Sequence, residues 1–266
     1  MTDILDIERV QSLLTTGSVG RHISYEASVS STMDVAKRQA EADPPVGGAP
    51  DGAVVIAEEQ TAGRGRLGRT WVSPPGVNLY FTIILRPELA QLRELAVIGP
   101  LAVCQAIEET TALLPRIKWP NDVVIDNRKV CGVLPTSEVE DERVLYALVG
   151  IGINVNLDVA AHGEIAEIAT SLHQELDHEV SREEVLAATL NHFETLYRAL
   201  CDGQVVSVAW KQRLDTLGRP VRVEMAGGVV EEGTAVDADS DGSLIVRRDD
   251  GSHVRLEAGE AFAREG

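Results

Sequence analysis

Gly63-Arg64-Gly65-Arg66-Leu67-Gly68-Arg69 packs three arginines and three glycines into seven positions of a chain whose formal net charge is -18. Arginine stays protonated at any working pH, and glycine lets the backbone fold closely round a guest. Such a segment is suited to hold an anion, and phosphate is the first candidate; the alternative is a solvated basic turn. By spacing alone, Gly63-x-Gly65-x-x-Gly68 satisfies the dinucleotide fingerprint. Gly63 to Thr70 satisfies the P-loop, except that Arg69 stands where lysine is required. Both mechanisms need a helix to begin at the last glycine. The chain instead runs into Thr70-Trp71-Val72-Ser73-Pro74-Pro75-Gly76, which stops a helix within its first turns and excludes both.

Three further constellations could do chemistry. Lys118-Trp119-Pro120-Asn121-Asp122 sets an aromatic beside an amide and a carboxylate. A purine could stack there while the carboxylate holds magnesium, or the segment could be an edge strand closing on a turn. Lys129, three residues before Gly132, is either a solvated lysine or a cation aimed at a ligand. Gly150-Ile151-Gly152-Ile153-Asn154-Val155-Asn156 puts glycines into an otherwise buried strand, which means close approach of a ligand or backbone, or a bulge.

These residues need a scaffold, and the pattern supplies one. Ala53 to Glu58 and 77–85 read as strands, the first delivering the Gly-Arg loop. Apolar spacing predicts a first helix ending near Gly17 and a long helix over about 88–112. Ser30-Ser31-Thr32 reads as a helix cap before Met33, and 43–52 as a loop. Extended segments follow at 116–119, 123–125 and 129–134, with a turn at Asp126-Asn127, then a buried strand over 144–155 and helices at 181–199 and 204–217. After Leu217-Gly218 the texture becomes short strands, 221–224, 233–236, 243–246 and 253–256, punctuated by Gly228, Asp241-Gly242 and Asp250-Gly251. The expected architecture is α+β: a domain over 1–217 and a small SH3-like β-barrel over 218–266.

Composition narrows the function classes. With 44% hydrophobic and 25% charged residues in 266, a full core is expected. The acidic excess, 42 Asp and Glu against 24 Lys and Arg, argues against a general nucleic-acid binder. No apolar run is long enough to span a bilayer and Met1-Thr2-Asp3 lacks a basic leader, so a cytoplasmic protein is expected. Cys104, Cys131 and Cys201 show no paired spacing and read as small hydrophobes.

Taken in order, Gly63-Arg64-Gly65-Arg66-x-Gly68-Arg69, Lys118-Trp119-Pro120-Asn121-Asp122, Lys129-Val130-x-Gly132-Val133-Leu134, Gly152-Ile153-Asn154-Val155-Asn156 and Ala169-Thr170-Ser171-Leu172 closely resemble the biotin protein ligases (biotin–[acetyl-CoA-carboxylase] ligases). The resemblance covers nearly the whole chain. It implies a mixed-sheet catalytic domain with flanking helices, like class II aminoacyl-tRNA synthetases, followed by the C-terminal barrel. It also implies a two-step reaction, in which biotin and ATP give biotinyl-5′-adenylate and pyrophosphate before a lysine of a biotin carrier domain takes the biotin. By motif, Ser31, Thr32 and Gln60 would hydrogen-bond the biotin head, with Gly63 and Gly132 against it. Arg64 and Arg66 would hold carboxylate and phosphate, and Arg69 the pyrophosphate end. Trp71 and Asn154 would flank adenine, Asn121 and Asp122 would order nucleotide and magnesium, and Lys129 would meet the anhydride and α-phosphate oxygens.

The implied partners are carrier domains of acetyl-CoA or acyl-CoA carboxylase and of pyruvate carboxylase, with no DNA, no membrane, and a monomer or homodimer. The chain departs from the family at Met33, where many members carry asparagine, and at Thr136, where glutamate is frequent. Only about one helix precedes the motifs, whereas repressor-type members carry a winged helix-turn-helix there, so the form without DNA binding is the one resembled. Two rival readings stand beside it. A lipoate ligase lacks the Gly-Arg loop, and a biotin sensor without turnover would release no pyrophosphate.

Overall fold

The structure, a computed structural model, describes residues 4–42 and 48–263; Met1-Thr2-Asp3, residues 43–47 of the expected 43–52 loop, and 264–266 lie outside the described residues. Strands β1 (Ile23–Val29), β2 (Ala53–Gln60), β3 (Leu79–Leu85), β4 (Arg116–Lys118), β5 (Asp122–Ile125), β6 (Arg128–Glu140) and β7 (Arg143–Ile153) make one mixed sheet in the order β1-β2-β3-β7-β6-β5-β4. Only the β1–β2 pair is parallel. The apolar runs of β2 and β3 are buried because both faces of the sheet are covered. Val54 and Ile56 point into the large core with α1 (Ile7–Leu13), α3 (Leu95–Thr111) and α5 (Arg182–Cys201). The alternate residues Ala53 and Val55 pack instead under Val35, Ala36 and Ala40 of α2 (Thr32–Glu41).

Several expectations shift by a turn or a strand. The long helix begins at Leu95 because Glu88 and Gln91 close a separate single turn through a reciprocal capping box. The helix expected at 204–217 is the shorter α6 (Ser207–Arg213), and a five-residue α4 (Leu172–Leu176) precedes α5. Strand β6 runs on to Glu140 and turns into β7 at Asp141-Glu142, whose φ angles of 46° and 62° match those at Asp126-Asn127, 47° and 64°. Paired left-handed residues give the hairpin turn whose twist suits flanking strands. Strand β1, I-S-Y-E-A-S-V, has no clean apolar alternation to announce it; it is an edge strand whose centre is exposed.

A second, antiparallel sheet is built from β8 (Pro220–Glu224), β9 (Val230–Ala238), β10 (Leu244–Arg247), β11 (His253–Leu256) and β12 (Glu260–Ala263), in the order β11-β10-β9-β8-β12. The expected barrel is thus a five-stranded sheet, with no pairing of β11 to β12 among the described residues. Trp119, 1% exposed, joins the sheets: its Nε1–H donates to the Gly242 carbonyl at 2.8 Å and its backbone N–H to Thr216 Oγ1 at 2.9 Å. Val221, Val223, Leu244 and Val246 belong to the same contiguous core as the first sheet. No described helix is long and apolar enough to cross a membrane.

Candidate functional site

The glycines that interrupt β6 and β7 make the floor of a cleft. Gly132 and Gly152 are register partners, and Gly150 follows on the same strand face. A Cβ on Gly152 would stand 2.6 Å from Trp71 Nε1, and one on Gly132 3.1 Å from Trp71 Cζ3. A Cβ on Gly150 would stand 2.7 Å from Met33 Sδ. The missing side chains therefore leave a trough that the Trp71 indole and the Met33 thioether occupy. The Trp71 Nε1–H is buried with no hydrogen-bond partner, a donor left over in the floor of a cleft of ≈ 430 Å³.

One end of the cleft is polar and braced. Ser31 caps α2, its Oγ accepting from the Met33 N–H at 3.3 Å. Gln60, at the end of β2, accepts at Oε1 from the Thr32 N–H at 2.9 Å and the Thr32 hydroxyl at 3.1 Å. Its Nε2 donates to Ser73 Oγ at 3.1 Å, and the Thr82 hydroxyl donates to Thr32 Oγ1 at 2.9 Å. Ser31, Thr32 and Thr82 are buried, so this is a rigid set of hydroxyl and amide groups for a small polar guest.

The Gly-Arg loop roofs the cleft. It folds back on itself: the Trp71 N–H donates to the Gly63 carbonyl at 2.9 Å and the Gly65 N–H to the Arg69 carbonyl at 2.7 Å. The tip, Leu67 and Gly68, is left-handed at φ 55° and 76°. No helix follows it before β3, as the prolines require. Each arginine meets a different element. Arg64 grips both Asp34 carboxylate oxygens, at 2.6 and 2.8 Å, Arg66 donates to Asn121 Oδ1 at 3.1 Å, and Arg69 pairs with Glu260 at 2.6 Å. Burial draws the Arg66 guanidinium below its ordinary value, while Asp122 and Glu260 oppose that shift.

Lys129 enters from the other wall. Its Nζ is 2.7 Å from Asp122 Oδ1 and 5.2 Å from the centroid of the Trp71 ring, so it is a cation over an aromatic face inside the cleft. Asn121 is buried, and its Nδ2 donates to the Val133 carbonyl in a short contact. The Asn154 amide, also buried, donates to the Thr170 carbonyl at 3.0 Å and accepts from Asn78 at 3.4 Å. Trp119 also lines the cleft, but at 1% exposure, wedged between the sheets, it presents little ring face to a purine.

The structure brings Ser31, Thr32, Gln60, Arg64, Arg66, Arg69, Trp71, Asn121, Asp122, Lys129, Gly132 and Asn154 to the lining of this one cleft. Gly63 is not in the lining; it sits below, where a Cβ would come within 2.4 Å of the Trp71 carbonyl oxygen. Sequence reasoning missed Asp34, Glu260 and Phe262. Asp34 is an ordinary exposed-looking helix residue, and β12 is a four-residue strand without apolar alternation. Phe262 receives the Lys118 ammonium 5.4 Å from its ring centroid. Among the described residues no group of three or more His, Cys, Asp or Glu could hold a metal.

Cations over a glycine floor, next to a buried polar recess, can hold two anions in contact while a neutral head group is hydrogen-bonded. Comparison with known proteins gives that arrangement a family. Residues 25–154 match the "Biotin/lipoate A/B protein ligase family" and 216–264 the "Biotin protein ligase C terminal domain". The Bacillus subtilis bifunctional ligase/repressor BirA is 34% identical over 243 residues, 90% of this chain and 73% of the relative. The Paracoccus denitrificans biotin–[acetyl-CoA-carboxylase] ligase is 34% identical over 216 residues, 78% of this chain and 89% of the relative. A solved Aquifex aeolicus biotin protein ligase, in complex with biotin and ATP, superposes with a TM-score of 0.77 at 29% identity, covering 92% of this chain and 100% of that one. With one match across the first sheet and a biotin-specific one across the second, and a relative 34% identical over 90% of this chain and 73% of its own length, the chain belongs to the biotin protein ligase family.

Proposed function

We propose that this protein activates biotin with ATP to biotinyl-5′-adenylate and then transfers biotin to a specific lysine of a carboxylase carrier domain. The observation that carries the reading is the convergence of Arg64, Arg66, Arg69 and Lys129 on one small cleft with a buried hydroxyl–amide recess at its end. In the first step a biotin carboxylate oxygen attacks the α-phosphorus and pyrophosphate leaves. In the second the carrier's amine attacks the acyl carbon, and AMP leaves with the anhydride oxygen. No protein nucleophile is needed; positioning and fixed positive charge lower both barriers.

The recess of Ser31, Thr32 and Gln60 is assigned to the biotin head, over Gly132, with Gly63 supporting the loop from below. Arg64 and Arg66 are assigned to carboxylate and phosphate, Arg69 to the pyrophosphate end, and Lys129 to the α-phosphate and anhydride oxygens. Trp71 and Asn154 flank the nucleotide, and Asn121, which holds Arg66 until substrate enters, helps to order it. The acceptors that now hold these cations, Asp34, Asn121, Glu260 and Asp122, would yield them to substrate oxygens. Magnesium would arrive with the triphosphate and supply charge neutralisation there. Asp122 is a donor of suitable chemistry, once its pair with Lys129 opens.

Residues 1–217 are read as the catalytic domain and 218–266 as a C-terminal domain that completes the cleft through Glu260 and Phe262. Acetyl-CoA carboxylase is the first acceptor expected, since the Paracoccus relative is named for it; pyruvate carboxylase, a cytoplasmic setting and the absence of DNA binding belong to the proposal. The test is pyrophosphate release with magnesium-ATP and biotin, with lipoate as the competing substrate. Equal turnover with lipoate would move the chain to the lipoate branch of its family.

A further inference from the structure

An ion pair buried away from the cleft sits at the root of the Gly-Arg loop. Glu58 on β2 and Arg182 at the start of α5 meet at 2.8 Å, with side chains 9% and 2% exposed. The Glu58 carboxylate also accepts from the Leu5 N–H at 2.7 Å, the Tyr25 hydroxyl at 2.7 Å and the Gly76 N–H at 3.2 Å. Burial pushes this carboxyl up, and the bonds from Arg182, Tyr25 and Leu5 outweigh it, leaving it below its ordinary value. Arg182 in turn donates to the Asn78 carbonyl at 3.2 Å.

A buried ion pair is a weak source of stability, because desolvation offsets the attraction and an apolar pair of similar size does as well or better. What this pair fixes is backbone. Gly76 and Asn78 bracket the segment by which the loop, after Trp71, re-enters β3; Gly76 is left-handed at φ 79°. The Tyr80 hydroxyl holds the Pro74 carbonyl of the same limb at 3.0 Å. The Asn78 side chain carries the linkage across the sheet: its Oδ1 accepts from the Val155 N–H at 2.9 Å and its Nδ2 donates to Asn154 Oδ1 at 3.4 Å. Neither Glu58 nor Arg182 lines the cleft.

We propose that Glu58 and Arg182 are positioning residues for the nucleotide side of the cleft, holding Trp71 through the loop's return limb and Asn154 through Asn78. The inference rests on the ligase reading for the identity of the nucleotide. It predicts a larger effect on the nucleotide than on biotin, because the biotin recess shares the return limb only through the Gln60–Ser73 contact and is held besides by Thr32 and Thr82.

The test is the double variant Glu58→Met/Arg182→Met, measured by calorimetry with α,β-methylene-ATP and with biotin, beside its melting temperature and the pyrophosphate assay. The expected result is a folded protein whose melting temperature is lowered because the Leu5, Tyr25 and Gly76 donors lose their acceptor, with biotin affinity changed several-fold less than nucleotide affinity, which weakens about tenfold or more. Nucleotide affinity within twofold of the parent's overturns the proposal, as does an equal loss for both ligands. Should the double variant not fold, Glu58→Gln is read by the same selective criterion, with Arg182→Lys expected to keep part of the nucleotide affinity. A parent that binds the ATP analogue but releases no pyrophosphate with biotin overturns the ligase reading and leaves the positioning test intact. A parent that does not bind it overturns both.

Discussion

At the scale of single residues, Lys129 separates a surface lysine from a working one most sharply. It is only half-buried, yet it faces Asp122 at 2.7 Å and the Trp71 ring inside the cleft. A solvated lysine would contribute under about 0.5 kcal/mol to stability and nothing to rate. Lys129→Ala is therefore expected to melt close to the parent but to slow both adenylate formation and transfer from supplied adenylate by about 100-fold or more, the worth of one preorganised donor. Lys129→Arg should recover only part of the rate, because a planar fork does not reproduce a compact ammonium. Rapid-quench assays of each half-reaction decide it, and near-normal rates in both would return Lys129 to the surface. Arg66 makes a different prediction. It is the loop arginine drawn inward by burial, anchored on Asn121, and Arg66→Ala should weaken adenylate retention by about 1.5–3 kcal/mol, a hydrogen bond to a charged group. Timed release of preformed adenylate measures it; an unchanged half-life would remove Arg66 from the site.

At the scale of elements, the anchors of the loop and helices carry testable weight. Glu194 of α5 accepts from the Gly17, Ser18 and Val19 N–H groups at 2.6, 2.7 and 3.0 Å, closing the turn between α1 and β1. Glu194→Ala strands those donors and should cost about 1–3 kcal/mol or more in chemical denaturation, while leaving adenylate chemistry intact in the folded fraction. Burial raises the Glu194 and Glu58 carboxyls, but their hydrogen bonds win, and both stay below the ordinary glutamate value of 4.5. Groups depressed on folding stabilise the native state above the unfolded value, and that stability is lost as pH falls through the folded one. Melting temperature should therefore fall on acidification below about pH 4.5, and Glu194→Gln should flatten part of that fall. A parent curve that stays flat there would contradict the hydrogen-bond assignment.

Elements also show where sequence was legible and where it was not. The buried runs of β2 and β3, the Ser31 cap and the Asp126-Asn127 turn follow from local pattern, because burial and left-handed backbone leave plain marks on composition. The cleft-lining motifs could be read because glycines inside a buried strand and three arginines in one short glycine-rich loop are unusual where no ligand requires them. Strand β1, the tail of β6 and strand β12 could not: each is half-exposed or short, and is held by its neighbours rather than by its own pattern. Asp34 and Glu260 escaped for a related reason. Each matters only as the partner of a loop arginine far away in sequence, a pairing that the fold creates.

At the scale of the whole molecule, the net charge of -18 sets a background against which the cleft's cations stand out. That background repels a polyphosphate backbone, and at moderate salt no saturable, adenylate-dependent shift of operator DNA is expected in an electrophoretic assay. The sheets share one core and one cleft, so deleting 218–266 should impair the complete reaction by removing Glu260 and Phe262 from the cleft wall. The chemistry proposed for this cleft is the joining of a biotin carboxylate to the α-phosphate of ATP. The most direct measurement is pyrophosphate release by the purified chain with magnesium-ATP, with and without biotin, and with lipoate in its place. Release is expected to require biotin and not to be supported by lipoate, with biotinyl-5′-adenylate accumulating in the absence of a carrier domain. Ligand binding without any biotin-dependent pyrophosphate would contradict it.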